Sequence, residues 1–438
     1  MSILPLRSAD DRPELRHPID PDTLIQVMEI VGDVRKGGEH AVRAHAERLG
    51  DIQAGAPMVL PPEALAAALA EMDPRDKGVL QRTAERIERF ASAQRASAED
   101  TTISVPGGRA GDRLVAVDVA GCYAPGGRYP LPSSVLMTAV TAKAAGVKTI
   151  WVASPKPTRT TLAAASIAGA DGVLAVGGAQ GIAALAYGFG EVPPCDVIVG
   201  PGNRWVTAAK YAVSATVGVD LIAGPSELVV VATAESDAEL VAADLLAQAE
   251  HDPDALPVLV VLAEDGPGQD FLVRTREEIG RQLEDLPTAD TARLSLREGY
   301  ALVTPDEERL IAEVESIAPE HLQLHAGAES LANRFSRYGG LFVGEETAEV
   351  LGDYGAGPNH TLPTGGTARY TGGLSVFTFL RRPTWMELST SQEGWKSLSL
   401  DSVDLARMEG LEAHARAAEK RIRRRGPPLP PPREGGPL

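Results

Sequence analysis

The fold is decided by the stretch TIWVA at Thr149–Ala153, an uninterrupted apolar run followed by an alanine-rich segment around Thr161–Ala168. A strand without polar residues is typical of a parallel sheet, because helices cover both of its faces. The same alternation of apolar strand and helix continues on either side. The predicted strands are Leu114–Val117, Gly172–Val176 and Asp196–Val199, and the predicted helices are Ser133–Ala145 and the segments that begin at Ala179 and Asn203. We therefore expect a doubly wound, mostly parallel α/β sheet.

A second series of apolar strands and helices runs from about residue 227 to 345. Its predicted strands are Leu228–Ala232, Val258–Leu262, Ala301–Val303, Leu322–Leu324 and Leu341–Val343. Two α/β units in series suggest a cleft between them, because ligands bind at the carboxyl ends of parallel strands. The expected segments are an N-terminal arm at 1–20, a helical region at 21–110 that packs on the second α/β domain, α/β domains at 111–226 and 227–385, a C-terminal helical segment at 386–425 and a disordered tail at 426–438.

Composition excludes several classes of function. Of 438 residues, 44% are hydrophobic and 23% charged, as in ordinary soluble globular proteins. The formal net charge of -18 argues against binding to nucleic acid, whose phosphates it would repel. No apolar run reaches the length of a membrane span, and the N-terminus lacks the apolar core of a signal peptide. The two cysteines, Cys122 and Cys195, form no CxxC pair, so we expect free, buried thiols in a cytoplasmic protein.

Three glycine-bearing turns each follow a predicted strand and precede a predicted helix. They are GCYAPGG at Gly121–Gly127, VGGAQ at Val176–Gln180 and VGPGN at Val199–Asn203. The dinucleotide fingerprint GxGxxG is absent from the first of them. Adjacent glycines before a helix nevertheless let a phosphate or ribose approach the backbone N–H groups closely. Three such turns on one sheet predict a nucleotide site.

Candidate metal ligands occur at two places. Gln248 and His251 are spaced for one face of a predicted helix that begins at Ser236, although such a pair also occurs as a surface hydrogen bond. Asp353 and His360 lie in a glycine-rich run, 352–366, which is too irregular for a helix or strand and has the length of a functional loop. Carboxylate, amide and imidazole donors without a thiolate suit Zn²⁺ or another borderline divalent ion.

The motif PEHL at Pro319–Leu322 places a carboxylate, Glu320, beside an imidazole, His321. Neighbouring residues of a regular strand point to opposite faces, so the two share a site only where the backbone is irregular. Pro319 supplies that irregularity and should direct Ala318 to an extended conformation. Taken alone, the pair fits either an acid–base site or a surface acid beside a core-edge histidine. Residue types and their spacing alone therefore predict an α/β enzyme that uses a metal ion and a nucleotide.

The motifs together, in order, resemble those of the histidinol dehydrogenase family from about residue 20 to 422. The stretches that carry the resemblance are Gly121–Gly127, Gly177–Gln180, Gly200–Asn203, Ala223–Glu227, Gln248–His251, Pro319–Leu322 and Gly352–Gly366. The resemblance implies two Rossmann-like doubly wound domains in series, with an N-terminal helical region and a C-terminal helical dimerisation segment. It implies an enzyme with one Zn²⁺ per subunit that oxidises L-histidinol to L-histidine through L-histidinal, with two NAD⁺, at the last steps of histidine biosynthesis.

The resemblance also assigns residues. It implies NAD binding by Tyr123, Gln180 and Asn203, zinc binding by Gln248, His251, Asp353 and His414, and substrate binding by Ser226, His360 and Glu409 together with His321 and the zinc ligands. Glu409 and His414 lie on a predicted helix from Ser399 to Arg425, where composition alone indicates solvated residues. In this family that segment reaches the partner's active site, so both would come from the other subunit of a homodimer.

A division of roles follows for the central pair. His321 would take the alcohol proton while hydride leaves for NAD⁺, and Glu320 would activate the water that hydrates the aldehyde. His325 has no assigned role and is interpreted as structural. The alternatives are a paralogous dehydrogenase acting on another small amino or sulfonate alcohol, a zinc hydrolase with Glu320 as base, and a non-catalytic nucleotide-binding protein. A hydrolase would not need the glycine turns, and a non-catalytic protein would not need both Glu320 and His321. Both alternatives are therefore ranked below a dehydrogenase.

Overall fold

The computed structural model describes residues 3–6, 18–126 and 130–423. The predicted tail at 426–438 and most of the predicted arm lie outside these residues. The helices are α1 Pro21–Arg48, α2 Pro62–Ala70, α3 Pro74–Ala96, α4 Pro132–Ala145, α5 Arg159–Ala168, α6 Gly178–Tyr187, α7 Arg204–Val213, α8 Ala238–Ala249, α9 Asp265–Gln282, α10 Ala289–Glu298, α11 Glu307–Ile317, α12 Glu349–Leu351, α13 Trp395–Met408 and α14 Glu412–Arg423. One π-helical turn spans Gly352–Ala356.

The strands fall into four sheets. They are β1 Val59–Leu60, β2 Thr101–Val105, β3 Gly108–Asp112, β4 Val115–Ala116, β5 Val119–Tyr123, β6 Thr149–Ala153, β7 Gly172–Leu174, β8 Val197–Val199, β9 Gly218–Val219, β10 Glu227–Thr233, β11 Leu256–Leu262, β12 Tyr300–Thr304, β13 His321–Leu324, β14 Gly340–Val343, β15 Leu380–Arg381 and β16 Thr384–Leu388. The chain forms two compact units, one of residues up to Arg95 with Ala116–Phe379, the other of Ala96–Val115 with the residues from Leu380 onwards.

The first sheet has the order β1-β7-β6-β5-β8-β9, and all its strands are parallel except β1. The expected parallel α/β sheet is therefore present. The strand predicted at Leu114–Val117 is present as β4, but it pairs with β15, and the strand that enters this sheet is β5. Its Gly121 lies against Cys195, Leu185 and Ile198, and a side chain there would meet those neighbours. The small residues that obscured the strand in the sequence are thus what its packing requires.

The second sheet is wholly parallel in the order β12-β11-β10-β13-β14, and its five strands were all predicted within two residues at each end. Alternate residues of β10 face opposite layers. Leu228 and Val230 pack with α8, whereas Val229 and Val231 pack with Leu310 and its neighbours on α11. Side chains on both faces are removed from water, which explains the continuous apolar runs.

The N-terminal helices do not pack where we expected. We predicted that region 21–110 lies on the second α/β domain, but α1 packs on α6 and α7, and α2 packs on α5, in the layers of the first sheet. The strand β1 joins the same sheet through Val59 and Leu174. Helix α3 does contact the second block, where Arg86 Nε donates to the carbonyl oxygen of Gly355. The helical region therefore packs on the first sheet's layers through α1 and α2 and contacts the second α/β block through α3.

The second unit contains a three-stranded antiparallel sheet, in the order β16-β3-β2, and the helix pair α13 and α14. A single helix was predicted from Ser399 to Arg425, and this is wrong. The chain breaks at Gly410, whose φ of 75° is unfavourable for other residues, and two helices pack on each other through a small cluster that includes Val403, Ala415 and Ile422.

The structure also bears on the two cysteines and on membrane-spanning helices. Both cysteines are free and buried, and burial raises the pKa of the Cys122 thiol to about 12 and raises that of Cys195 as well, so neither has the thiolate character of a nucleophile. In the described part of the chain, no helix combines the length and the apolar character needed to cross a membrane.

Candidate active site

The central pair lies where α11 turns into β13. The helix ends at Ile317, and Ala318 adopts a left-handed conformation with φ 48° and ψ 63°. The extended conformation predicted for Ala318 is therefore wrong; its N–H closes the helix on the carbonyl of Val314 instead. Glu320 then occupies a bend directly before β13 begins at His321. The backbone is irregular at this point, as expected, and the two side chains lie together.

The acid and the imidazole are both buried, with exposed fractions of 8% and 2%. Glu320 Oε2 lies 3.7 Å from His321 Nδ1 and accepts hydrogen bonds from the Ser226 hydroxyl and the Glu227 N–H. His321 Nδ1 is 3.2 Å from the carbonyl oxygen of Glu227, which makes Nδ1 the protonated nitrogen. Nε2 is then the nitrogen that can exchange its proton, and it lies 3.5 Å from Asp353 Oδ1.

Excess negative charge surrounds this imidazole. Burial lowers the pKa of His321, but the carboxylates of Glu320, Glu349 and Asp353 outweigh it and raise that pKa to about 10. Burial also raises the pKa of Glu320, against the opposing effect of His321. A divalent cation among these carboxylates would cancel part of their effect and bring the imidazole pKa back towards neutrality.

Donor atoms suitable for a cation meet beside His321. One ligand atom each from His251, Glu349 and Asp353 lies within 4.8 Å of the other two. Gln248, on the last turn of α8, is fully buried, and within the described residues neither its amide oxygen nor its amide nitrogen has a hydrogen-bond partner. Both oxygens of Glu349 are also buried, and neither has a hydrogen-bond partner in the described part of the chain. Such groups are costly unless a ligand satisfies them, so the donor set fits a divalent cation.

Glu349 was missed by the sequence analysis. We took the functional run to begin at Gly352, but α12 and the π-helical turn continue into each other and bring Glu349 and Asp353 to one side. The signal was available, because two acids four residues apart share a helix face. Burial raises the pKa of Glu349 to about 8, with His321 opposing and Asp353 adding to the effect.

His360 lies at the other end of the same loop. Its Nδ1 is 3.0 Å from the carbonyl oxygen of Asp353, and its Nε2 is 3.5 Å from the hydroxyl of Ser134 on α4. Burial lowers the pKa of His360. Asn359 donates to the carbonyl oxygen of Met137, also on α4. The loop thus connects the candidate metal ligands, His251, Glu349 and Asp353, to the helical layer of the first sheet.

The predicted cofactor residues line one pocket of about 450 Å³ at the carboxyl ends of β5, β7 and β8. The Tyr123 hydroxyl accepts from the Gly178 N–H, and the Asn203 oxygen caps α7 by accepting from two backbone N–H groups. Gln180 donates to Asp51 Oδ2, while its own oxygen is buried without a partner in the described residues. Asp51, which also accepts from Gly177 N–H, was not singled out by sequence. Residues 127–129 of the first glycine turn lie outside the described residues.

The third glycine turn is fixed by a buried ion pair. Lys210 and Asp220 are in direct contact with almost no exposure; Lys210 Nζ donates to the carbonyl oxygen of Gly200, and Gly200 N–H donates to Asp220. Gly200 has φ 117°, and a Cβ there would lie 2.0 Å from the carbonyl oxygen of Tyr123. Only glycine allows this close approach of the two strand ends.

A second pocket of about 460 Å³ adjoins the first, sharing Asn203 and Trp205 with it, and it extends to Ser226. Ser226 in turn donates to Glu320. The predicted cofactor residues are thus linked to Glu320 through the lining of the second pocket and the Ser226 hydrogen bond.

The orientation of the second sheet differs from our expectation. Glu227, Glu320 and His321 are at the amino ends of β10 and β13, and Gln248 is at the carboxyl end of α8. The candidate cofactor residues thus lie at the carboxyl ends of strands, as we expected for ligand-binding residues, whereas the candidate acid–base residues lie at amino ends. Helix α8 begins at Ala238 with Asp237 as its N-cap, rather than at Ser236 as predicted, and His251 follows the end of the helix.

The last two predicted site residues belong to the other unit. Glu409 is the C-cap residue of α13, and His414 is in the first turn of α14. Both are exposed in the single chain.

Comparisons with known proteins give a consistent result. Residues 16–422 match the family model described as histidinol dehydrogenase. The histidinol dehydrogenase of Pseudomonas aeruginosa is 42% identical over 405 residues, covering 91% of this chain and 90% of that protein. That of Thermus thermophilus is 43% identical over 407 residues, covering 92% and 95%. The crystal structure of histidinol dehydrogenase from Elizabethkingia anophelis superposes with a TM-score of 0.87 at 28% identity, covering 97% of this chain and 99% of that one.

Proposed function

Because the chain belongs to the histidinol dehydrogenase family, we propose that it oxidises L-histidinol through L-histidinal to L-histidine with two molecules of NAD⁺. The observation that carries the proposal is the buried pair of Glu320 and His321, 3.7 Å apart, beside a cluster of metal-ligand donors. The two side chains belong to one motif but have different environments. Such a pair can serve two different proton transfers in one site.

His321 is the base for the alcohol. Its Nδ1 is held by the carbonyl oxygen of Glu227, so Nε2 is left to accept the hydroxyl proton of the substrate. Each oxidation removes two electrons and a proton as hydride, which NAD⁺ accepts when bound. His321 then returns its proton to water before the second step.

Glu320 is the base for water. After the first oxidation the aldehyde must add water to form the diol, and Glu320 takes a proton from that water while Ser226 and the Glu227 N–H hold its carboxylate in place. The diol is an alcohol again, so His321 acts a second time. Loss of hydride then gives the carboxylic acid.

The residues that would hold Zn²⁺ are Gln248, His251 and Asp353, with Glu349 beside them and His414 supplied by a second subunit. Bound there, the ion would orient the substrate through its nitrogen atoms and neutralise the surrounding carboxylates. The support is that the Gln248 amide oxygen and both Glu349 carboxyl oxygens are buried without a hydrogen-bond partner among the described residues, and a cation would satisfy these oxygens. His360, Ser226 and Glu409 would complete the substrate pocket.

The first sheet would bind NAD in a Rossmann-like manner. Apart from the antiparallel β1, both sheets have the order third, second, first, fourth and fifth strand along the chain. We assign the 450 Å³ pocket to the cofactor, with Tyr123, Gln180 and Asn203 as its polar contacts. Trp205, which lines the same pocket, offers an aromatic face to a planar ring.

We further propose that the active molecule is a homodimer whose sites are shared. The second unit has only a small apolar cluster, while Leu405, Met408 and Leu411 around Glu409 are exposed by 58%, 82% and 44%. Apolar residues grouped in this way indicate a surface that another chain covers. A second copy would bury them and supply Glu409 and His414.

The test is a stoichiometric assay of NADH with L-histidinol as the limiting substrate. We expect two NADH for each histidinol, loss of the activity after chelation, and recovery on return of Zn²⁺. No absorbance change with L-histidinol would overturn the proposal. One NADH per substrate, or turnover with another small amino or sulfonate alcohol instead, would identify a paralogous dehydrogenase.

A further inference from the structure

A column of polar side chains lies behind the proposed base, inside the molecule. His321, Gln323 and His325 are alternate residues of β13 and its extension, so they share one face of the strand. This face is turned towards α8, because Leu228 and Val230, which pair with His321 and Gln323 on the neighbouring strand, pack there. An apolar cluster that includes Leu228, Val230 and Leu245 surrounds these polar groups between the sheet and α8.

Gln323 and His325 meet a buried acid of α8. The Gln323 amide nitrogen and His325 Nε2 both donate to Asp244 Oδ2, at 2.7 Å and 2.9 Å. Gln323 and His325 have no exposed surface, and Asp244 has an exposed fraction of 9%. His325 Nδ1 is buried without a partner among the described residues. Nε2 is therefore assigned as the nitrogen that donates to Asp244, since a proton on Nδ1 would be an orphaned donor.

This cluster connects the elements that carry or precede the candidate cation ligands Gln248, His251, Glu349 and Asp353. Asp244 is four residues before Gln248, so the two lie on the same face of α8, and His251 follows the helix. The Gln323 oxygen accepts from the backbone N–H of Glu349 at 3.4 Å, at the start of the helical stretch that carries Asp353. His321 is two residues before Gln323 on the same strand. One network thus joins α8, β13 and α12.

Stability alone does not account for these three residues. A carboxylate, an amide and an imidazole are costly to bury between a sheet and a helix, and an apolar layer of the same volume would pack there without that cost. The polar cluster fixes the relative orientation of the packed elements. Hydrogen bonds fix the rotation of α8 and the start of α12 relative to β13, which apolar contacts do not.

We propose that Asp244, Gln323 and His325 form a positioning network that sets the geometry of the cation site of Gln248, His251, Glu349 and Asp353, without themselves touching the cation or the substrate. The proposal rests on the proposed function, because it takes the donor cluster to be a cation site. Residues that orient metal ligands typically change metal affinity by about 10- to 100-fold when they are replaced. His325, first interpreted as structural, thereby acquires a function.

The experiment measures Zn²⁺ affinity of the full-length protein by competition with a chromogenic chelator. We expect His325→Leu, which removes the donor to Asp244, to raise the Kd for Zn²⁺ by about 10- to 100-fold. His325→Gln keeps an N–H near the position of Nε2 and should restore the Kd to within a few-fold of the original. Gln323→Leu, which cuts the link to Glu349, is an independent second variant and should weaken Zn²⁺ binding similarly.

Leu324→Val is the matched control, since Leu324 is fully buried on the opposite face of the same strand. It should lower the melting temperature of the metal-free protein but leave the Kd for Zn²⁺ unchanged. If His325→Leu and Gln323→Leu behave like this control, the network is structural and the inference is overturned. If the unaltered protein binds no Zn²⁺, the proposed metal site itself is wrong, which separates the two failures.

Discussion

Glu320 and His321 have different partners, so their replacement should have different consequences. His321→Asn removes the base at Nε2, and we expect NADH formation from L-histidinol to fall by about 10²- to 10⁴-fold. Glu320→Gln keeps the hydrogen-bonding shape but cannot accept a proton from water. It should leave the alcohol step within a few-fold and slow the oxidation of L-histidinal by a comparable factor.

The measurement is single-turnover NADH formation with each substrate in turn. His40→Asn makes the same substitution at an exposed histidine of α1 and should leave both rates unchanged. Equal loss of both half-reactions in Glu320→Gln and in His321→Asn would show that the division of roles is wrong.

The buried carboxyls predict an unusual dependence of stability on pH. Burial raises the pKa of Glu227 and Glu349 from an ordinary 4.5 to about 8 in each case. Between those pH values the folded, metal-free protein holds protons that the unfolded chain has released. Its free energy of unfolding should therefore decrease as pH rises through this window.

Urea unfolding with chelator at about pH 5 and about pH 8 checks this expectation. Glu349→Gln, which has no proton to lose, should reduce the decrease. Saturation with Zn²⁺ should reduce it too, because the cation compensates the ionised carboxylates. Equal stability of the chelated protein at both pH values would contradict the pKa shifts.

At the scale of single residues, sequence could predict groups that a motif marks but not groups that a fold brings together. PEHL and the glycine-rich loop marked Glu320, His321 and Asp353. Asp244 and Gln323 lie 79 positions apart, and nothing along the chain indicates that they share a hydrogen bond. Their contact exists only because β13 is placed under α8.

At the scale of secondary-structure elements, the turn after β8 gives a sharp prediction. Gly200→Ala would place a methyl group 2.0 Å from the Tyr123 carbonyl oxygen in a backbone conformation that alanine avoids. We expect a loss of stability of about 1–3 kcal/mol and a raised KM for NAD⁺, because the turn must move away from the cofactor pocket.

The matched control is Gly280→Ala, in the interior of α9 with open space at the new methyl position. It should raise stability by about 0.5–1 kcal/mol, since alanine is the better helix former, and leave the KM for NAD⁺ unchanged. A normal KM in Gly200→Ala would mean that this turn does not contact the cofactor.

The elements themselves were predictable to different degrees. The second sheet was predicted strand by strand, because burial on both faces makes each strand an apolar run. In the first sheet β5 was missed, since its VAGCY sequence contains the small residues that close packing needs. Helix ends were displaced where a side chain other than the expected one makes the cap, as Asp237 does for α8. Contacts between distant elements, such as α1 on α6, leave no local signal.

At the scale of the whole molecule, a shared site can be tested by mixing subunits. If His321 and His414 of one site come from different chains, dimers of His321→Asn and His414→Asn subunits contain one site with neither substitution. Each variant alone should form a nearly inactive homodimer. When equal amounts are mixed, unfolded and refolded together, half of the dimers should be mixed and carry one intact site of two, so we expect about a quarter of full activity.

The readout is NADH formation before and after co-refolding, with each variant refolded alone as the control. Recovery should be largest at equal proportions of the two subunits. No recovery at any proportion, with both variants folded, would place His321 and His414 of a site in the same chain.

The proposed acid–base pair and the turns proposed to bind NAD belong to different sheets. Replacing the loops after β5, β7 and β8 changes what the first sheet binds without altering β13, α8 or α12. The protein is therefore suited to redesign of its redox partner: libraries confined to these three loops could be screened for acceptance of synthetic nicotinamides. The residues that make and break bonds would remain as they are throughout such a screen.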